Sequence, residues 1–206
     1  MAQRLKALLF VSILMSVNSA AANTAESSVT FAKRLTDAAK ERTQDFVIYN
    51  SSYFAIPYPN GDVPSHFGVC TDVVVRSYRA LGIDLQKLVH EDMSTHFNHY
   101  PSKRIWGLKK TDRNIDHRRV PNLQTFFSRY GESLEISHEQ NNYHAGDLVT
   151  WRLANNRPHI GIVSDQKNEN GRPMIIHNIG AGPKQDDVLF AYEITGHYRY
   201  QPKNNQ

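Results

Sequence analysis

Apolar positions recur along this chain with two different periods. Up to about residue 130 the spacing is helical. In the stretch FAKRLTDAAKER, from Phe31 to Arg42, Phe31, Leu35, Ala38 and Ala39 fall on one side. In CTDVVVRSYRAL, from Cys70 to Leu81, the residues Cys70, Val73, Val74, Ser77 and Leu81 share a face, and Gly82 follows as a C-terminal stop. Asp84 to His90 reads as a short helix or turn. PNLQTFFSRY, from Pro121 to Tyr130, reads as a helix with proline in its first turn. Two segments break the period. Asn50 to His66 is a loop punctuated by Pro57, Pro59, Gly61 and Pro64. Ser94 to Arg119 is polar and without a clean period, which predicts a long ordered loop with one short helix, a type of loop that usually carries function. From Gly146 onward β-branched and aromatic residues dominate. Strands are expected at Asp147 to Leu153, His159 to Ser164, Pro173 to Asn178 and Tyr192 to Tyr200. Helices followed by an antiparallel sheet predict an α+β domain. No internal repeat or low-complexity tract divides it.

The beginning of the chain stands apart from this pattern. Arg4 and Lys6 precede an apolar run from Ala7 to Val17, and small residues follow at Ser19 to Ala22. That order predicts a cleaved export signal over residues 1–22. The run is shorter than the roughly 20 residues needed to span a bilayer. With no cysteine at the cleavage site for lipid attachment, no stable membrane anchor is expected. The remaining residues, 23–206, form one domain of ordinary size. Removing Arg4 and Lys6 from a formal charge of +4 leaves about +2, which gives no argument for nucleic acid as a partner.

Cys70 is the only cysteine. An exported chain meets an oxidising compartment, where a lone thiol is a liability unless it is buried or used. Placed in the first turn of a helix, it would meet unpaired amides and the positive end of the helix dipole, both of which favour the thiolate. The plainer alternative is a small buried apolar residue. His159 opens a predicted strand just after Pro158, and Gly161 permits close backbone approach there. His177 lies on the next strand. A two-residue turn at Asn170-Gly171 would put Ser164 opposite His177 and turn His159 to the other face. The histidines meet only if the pairing is centred near Asn168, through a longer loop of about Asp165 to Arg172 or through a bulge.

The ordered stretches Gly68-Val69-Cys70-Thr71-Asp72, Gly146-Asp147-Leu148-Val149, Pro158-His159-Ile160-Gly161-Ile162-Val163 and Ile175-Ile176-His177-Asn178 resemble those of the NlpC-type cell-wall peptidases. More closely, Trp106-Gly107-Leu108-Lys109 and Ile115 to Leu123 (IDHRRVPNL) resemble the bacterial secreted family classed as domain of unknown function 1287. The resemblance implies a papain-like fold with N-terminal helices packed on a C-terminal antiparallel sheet, and it favours the longer loop between the two histidines. It implies Cys70 as nucleophile, His159 as general base and His177, or else Asn178, as the third member. It also implies Tyr58, in Ile56-Pro57-Tyr58, as an oxyanion donor beside the Cys70 amide. Two features depart from the superfamily pattern: Val69-Cys70-Thr71-Asp72 stands where Asp-Cys-Ser-Gly is usual, and the Gly-rich element after the tyrosine is missing.

The activity implied is an exported, periplasmic cysteine hydrolase that cleaves an amide bond in peptidoglycan stem peptides, acting as a monomer without a cofactor. Asp116, His117, Arg118, Arg119 and Trp106 are the candidates for substrate binding, because arginine grips carboxylates in a bidentate manner. The alternative for the two arginines is structural pairing with Asp112, Asp116 or Glu132. The spacing of His96, His99 and His117 matches no metal-ligand frame, so no metal is expected. Two other activities share the fold: an acyltransferase or lipid ester or thioester hydrolase, and a non-catalytic envelope ligand-binding protein.

Overall fold

The computed structural model describes residues 30–202, so the expected export signal lies outside the described residues. The first helix, α1, covers residues 30–42 and buries Leu35, Ala38 and Ala39, as its spacing predicts. A short strand β1 (Ile48–Tyr49) runs parallel to β2 (Phe67–Gly68), with Tyr49 paired to Gly68. Helix α2 (Cys70–Ala80) follows at once, and Gly82 takes a φ of 81° just beyond it. Helix α3 (Leu85–Thr95) is longer than the short element expected, with Asp84 capping it by accepting from the Lys87 amide at 3.1 Å. The polar stretch then contains one α-helix, α4 (Ser102–Trp106), and two 3-10 turns, Phe97–His99 and Asp116–Arg118. Helix α5 (Val120–Tyr130) carries proline in its first turn.

The sheet comprises β3 (Glu132–Ser133), β4 (Leu148–Arg152), β5 (Pro158–Lys167), β6 (Pro173–His177), β7 (Lys184–Asp186) and β8 (Glu193–Arg199). Their order is β3-β8-β4-β5-β6-β7, with every pairing antiparallel. The chain is therefore α+β, with helices preceding the sheet. Alternation divides the sheet's residues between two cores. Leu148, Ile160, Ile162 and Ile176 join the helix residues Val73, Val74, Leu123 and Phe127. Val149, Trp151, Val163 and Ile175 pack on the other face under Leu189 and Phe190. Among the described residues no helix is long and apolar enough to cross a membrane.

The hairpin β5–β6 settles where the two histidines lie. Its turn closes through the Asn168 amide to the Arg172 carbonyl at 2.9 Å, with Gly171 at a φ of 77°. That turn is longer than a two-residue one, yet β5 runs on to Lys167, further than expected. An irregularity between Val163 and Lys167 then shifts the ladder so that Ile162 faces Ile176 and Val163 faces Ile175. Continuing this register puts Gly161 opposite His177, with His159 two residues along on the same face. Glycine is required at that crossing. A Cβ on Gly161 would lie 2.6 Å from Ile175 Cγ2 and 3.2 Å from His177 Cβ.

Candidate active site

Cys70 begins α2. Its N-cap residue, Val69, has no side chain able to cap, and Asp72 takes over by accepting the Val69 amide at 2.7 Å. The Cys70 side chain is 5% exposed, and the backbone amides of Ile160, Thr71 and Cys70 itself lie against its sulfur. Those amides favour the thiolate, as a helix start should. Burial outweighs them and pushes the thiol up to about 11. The activation expected from the helix terminus alone is thus overridden by desolvation.

Ile160 directly follows His159, so the sulfur meets the backbone of β5 one residue past His159. His159 is buried, and its Nε2 lies 2.8 Å from His177 Nδ1. The Trp151 ring packs 5.8 Å from the His159 ring, centroid to centroid. Burial, assisted by the neighbouring His177, lowers His159 to about 3. Among the described residues His159 Nδ1 carries no hydrogen bond, and none joins the imidazole to Cys70. His177 is fully buried, and its Nε2 lies 3.1 Å from Asp186 Oδ2. Burial lowers His177 as well, against the opposing pull of Asp186. Asn178, the alternative third residue, turns to the opposite face and accepts the Gly180 amide at 3.0 Å.

The tyrosine beside Cys70 is Tyr49, not Tyr58. Pairing with Gly68 places Tyr49 two residues short of the cysteine in the adjoining strand. Burial, with Cys70 as the next contributor, pushes its phenol up to about 12. Tyr58 packs against α3 instead, edge-on to His90 at 5.1 Å and with the Arg113 guanidinium 5.7 Å from its ring centre. The resemblance of Pro57-Tyr58 to the superfamily's tyrosine element points to Tyr58; the parallel β1–β2 pairing that brings Tyr49 in, two residues long, is too brief to leave a sequence signal.

The Asp116–Arg119 run is divided by burial. Asp116 accepts the Asp112 amide and pairs with Arg119 at 3.1 Å, and burial raises its carboxyl to about 6. His117 is buried and lowered to about 3, with its Nδ1 unpartnered. Arg118 grips Asp72 with both Nε and Nη2 at 2.9 Å, deep in the protein. Its fork is therefore closed to a substrate carboxylate, and its structural partner is Asp72 rather than any of the acids considered from sequence. Arg119 stays near the surface, stacked 4.4 Å from the centre of the half-exposed Trp106. It borders a cleft of about 870 Å³ with His90, Lys109, Lys110 and Arg113. One residue before Arg119, the Arg118 carbonyl accepts Thr71 Oγ1 at 3.1 Å. His96 and His99 are engaged elsewhere, with Asp92 and Arg129.

The chain belongs to the family described as Domain of unknown function (DUF1287), whose model matches residues 36–200. It is 51% identical over 166 residues to the Uncharacterized protein YijF of Escherichia coli (strain K12), covering 81% of this chain and 80% of that one. Among solved structures it is similar to NlpC1 from Trichomonas vaginalis at 16% identity and a TM-score of 0.45. That match covers 84% of this chain, which spans 45% of the other.

Proposed function

We propose that this protein is an exported papain-like cysteine hydrolase that cleaves an amide bond, with peptidoglycan stem peptides as the substrate class. The observation that supports it best is a convergence at one end of β5. The Cys70 sulfur meets the amide following His159, and the His159 ring is backed by His177. With the thiol raised and the imidazole lowered, the resting pair is neutral, so the proton leaves sulfur only as substrate is attacked. The Sγ–H proton passes to His159 Nδ1 as sulfur bonds to the carbonyl carbon. The oxyanion is met by the Cys70 amide and the Tyr49 hydroxyl. Nδ1 gives its proton to the departing amine as the C–N bond breaks, leaving a thioester. Water then attacks the thioester carbon as His159 Nδ1 takes its proton, and Nδ1 returns that proton to sulfur as the C–S bond breaks and the acid departs.

A second reading, a ligand-binding protein that retains the fold without turnover, is favoured by the buried, protonated state of Cys70. Digestion of purified sacculi or muropeptides, read by mass spectrometry, separates the two. Wild-type protein is expected to release new fragments and Cys70→Ala none. Tyr49→Phe should slow release by on the order of 10²-fold, the cost of one oxyanion donor, while Tyr58→Phe leaves the rate unchanged. Fragment release that persists in Cys70→Ala refutes the cysteine mechanism; no release by wild type favours the binding reading.

A further inference from the structure

Strand β7 is three polar residues long, and it brings Asp186 to the far side of His177. His159 Nε2, His177 Nδ1, His177 Nε2 and Asp186 Oδ2 form one line with separations of 2.8 and 3.1 Å. An ionised carboxylate accepts hydrogen bonds and donates none, and a neutral imidazole has one nitrogen of each kind. We infer that Asp186 is the positioning residue that sets the tautomers of both histidines and so makes His159 Nδ1 the free base. This inference rests on the catalytic reading of His159 given above.

Asp186 is paired with Lys184 Nζ at 2.7 Å, which keeps it ionised at neutral pH. His177 Nε2 must then carry the proton and donate to it. His177 Nδ1 is left as an acceptor, which requires His159 Nε2 to be the donor across the 2.8 Å contact. The lone pair of His159 falls on Nδ1, the one nitrogen of these two rings with no hydrogen-bond partner among the described residues. No proton travels along the line during the reaction. When Nδ1 takes the thiol proton, the charge on His159 is stabilised through His177 by the Asp186 carboxylate.

The arrangement has two supports in the fold. Gly161 leaves room for His177 beneath the ladder, as shown by the 3.2 Å its missing Cβ would leave. The pairing of His177 with Lys184 across β6–β7 places both the carboxylate and its counter-charge at the strand end.

The test is to read the tautomers directly by long-range ¹H–¹⁵N correlation on histidine-labelled full-length protein, with His159→Gln and His177→Gln for assignment. Wild type is expected to carry the proton on Nε2 of both rings. In Asp186→Asn the carboxamide NH₂ can donate to His177 Nε2, which moves the proton to Nδ1 on both rings. That variant should lose hydrolysis by on the order of 10⁴-fold with KM little changed, as expected when a base is held in the wrong tautomer. Asp186→Ala, which cannot donate, should lose less. An Nδ1 proton on either wild-type ring overturns the inference, and this reading survives even if the variants do not fold. Unchanged tautomers in a folded Asp186→Asn also overturn it. Tautomers that switch as stated in a protein that never hydrolyses substrate leave the positioning by Asp186 standing and remove the catalytic reading instead.

Discussion

At the scale of the residue, the same environment acts on Cys70 and His159 in opposite directions. Desolvation disfavours each charged form, so the thiol rises to about 11 and the imidazole falls to about 3. A thiolate–imidazolium pair is therefore not the resting state of the described structure. Alkylation of the free protein by iodoacetamide should accelerate steadily above pH 9, following the thiol. A rate already at its plateau below pH 7 would show that the ion pair forms at rest. The residue scale also separates the two tyrosines: Tyr49 shares the field of Cys70, whereas Tyr58 meets His90 and Arg113.

At the scale of the element, the start of α2 depends on a residue 46 positions away in sequence. Asp72 accepts the Val69 amide and holds Arg118 in a bidentate pair, with both side chains 4% exposed. Arg118 also reaches the Asn50 and Ser52 carbonyls in the loop after β1, each at 3.4 Å. Arg118→Ala leaves the Asp72 carboxylate buried without its partner, and the expected loss of stability is about 3–5 kcal/mol. Urea denaturation checks this value, and a loss under about 1 kcal/mol would mean that water replaces the guanidinium. Asp72→Asn combined with Arg118→Ala should recover part of the loss, because the stranded charge is then gone.

At the scale of the whole molecule, buried histidines govern stability in acid. His117 and His159 both titrate at about 3 in the folded protein, below the ordinary value of 6.5, and His177 is lowered too. As pH falls through 6.5 the unfolded chain takes up protons that the native state refuses, so stability declines toward pH 3. Asp116 acts with the opposite sign. Its carboxyl is raised to about 6, so the native state holds a proton between about pH 6 and 3.8 that the unfolded chain releases. Three histidines outweigh one carboxyl, and the thermal midpoint should fall from pH 7 to pH 4.5. A midpoint that is flat or rising over that range contradicts this balance. His117→Gln should flatten the decline without touching the cysteine.

Much of this organisation was legible along the chain. The helical spacing from Phe31, Cys70 and Pro121 and the β-rich texture after Gly146 determined the α+β class, because burial of one face imposes a period of 3.6 or 2 on the residues themselves. The cysteine at a helix start and the histidine at a strand start were visible for the same reason. The remainder required tertiary structure. Three polar residues, Lys184 to Asp186, become a strand only because β6 offers an unpaired edge, so Asp186 had no sequence signal. Arg118 looked like a substrate ligand until the buried Asp72 claimed it. The contact between His159 and His177 hung on a ladder shift between Val163 and Lys167 that the Asn170-Gly171 turn does not announce. Local period and residue type were enough to announce the longer elements and the cysteine and histidines they carry, since both act within a few positions of the chain. Their partners, protonation and exposure came from the folded packing, since desolvation and hydrogen bonding depend on groups that the chain brings together from afar.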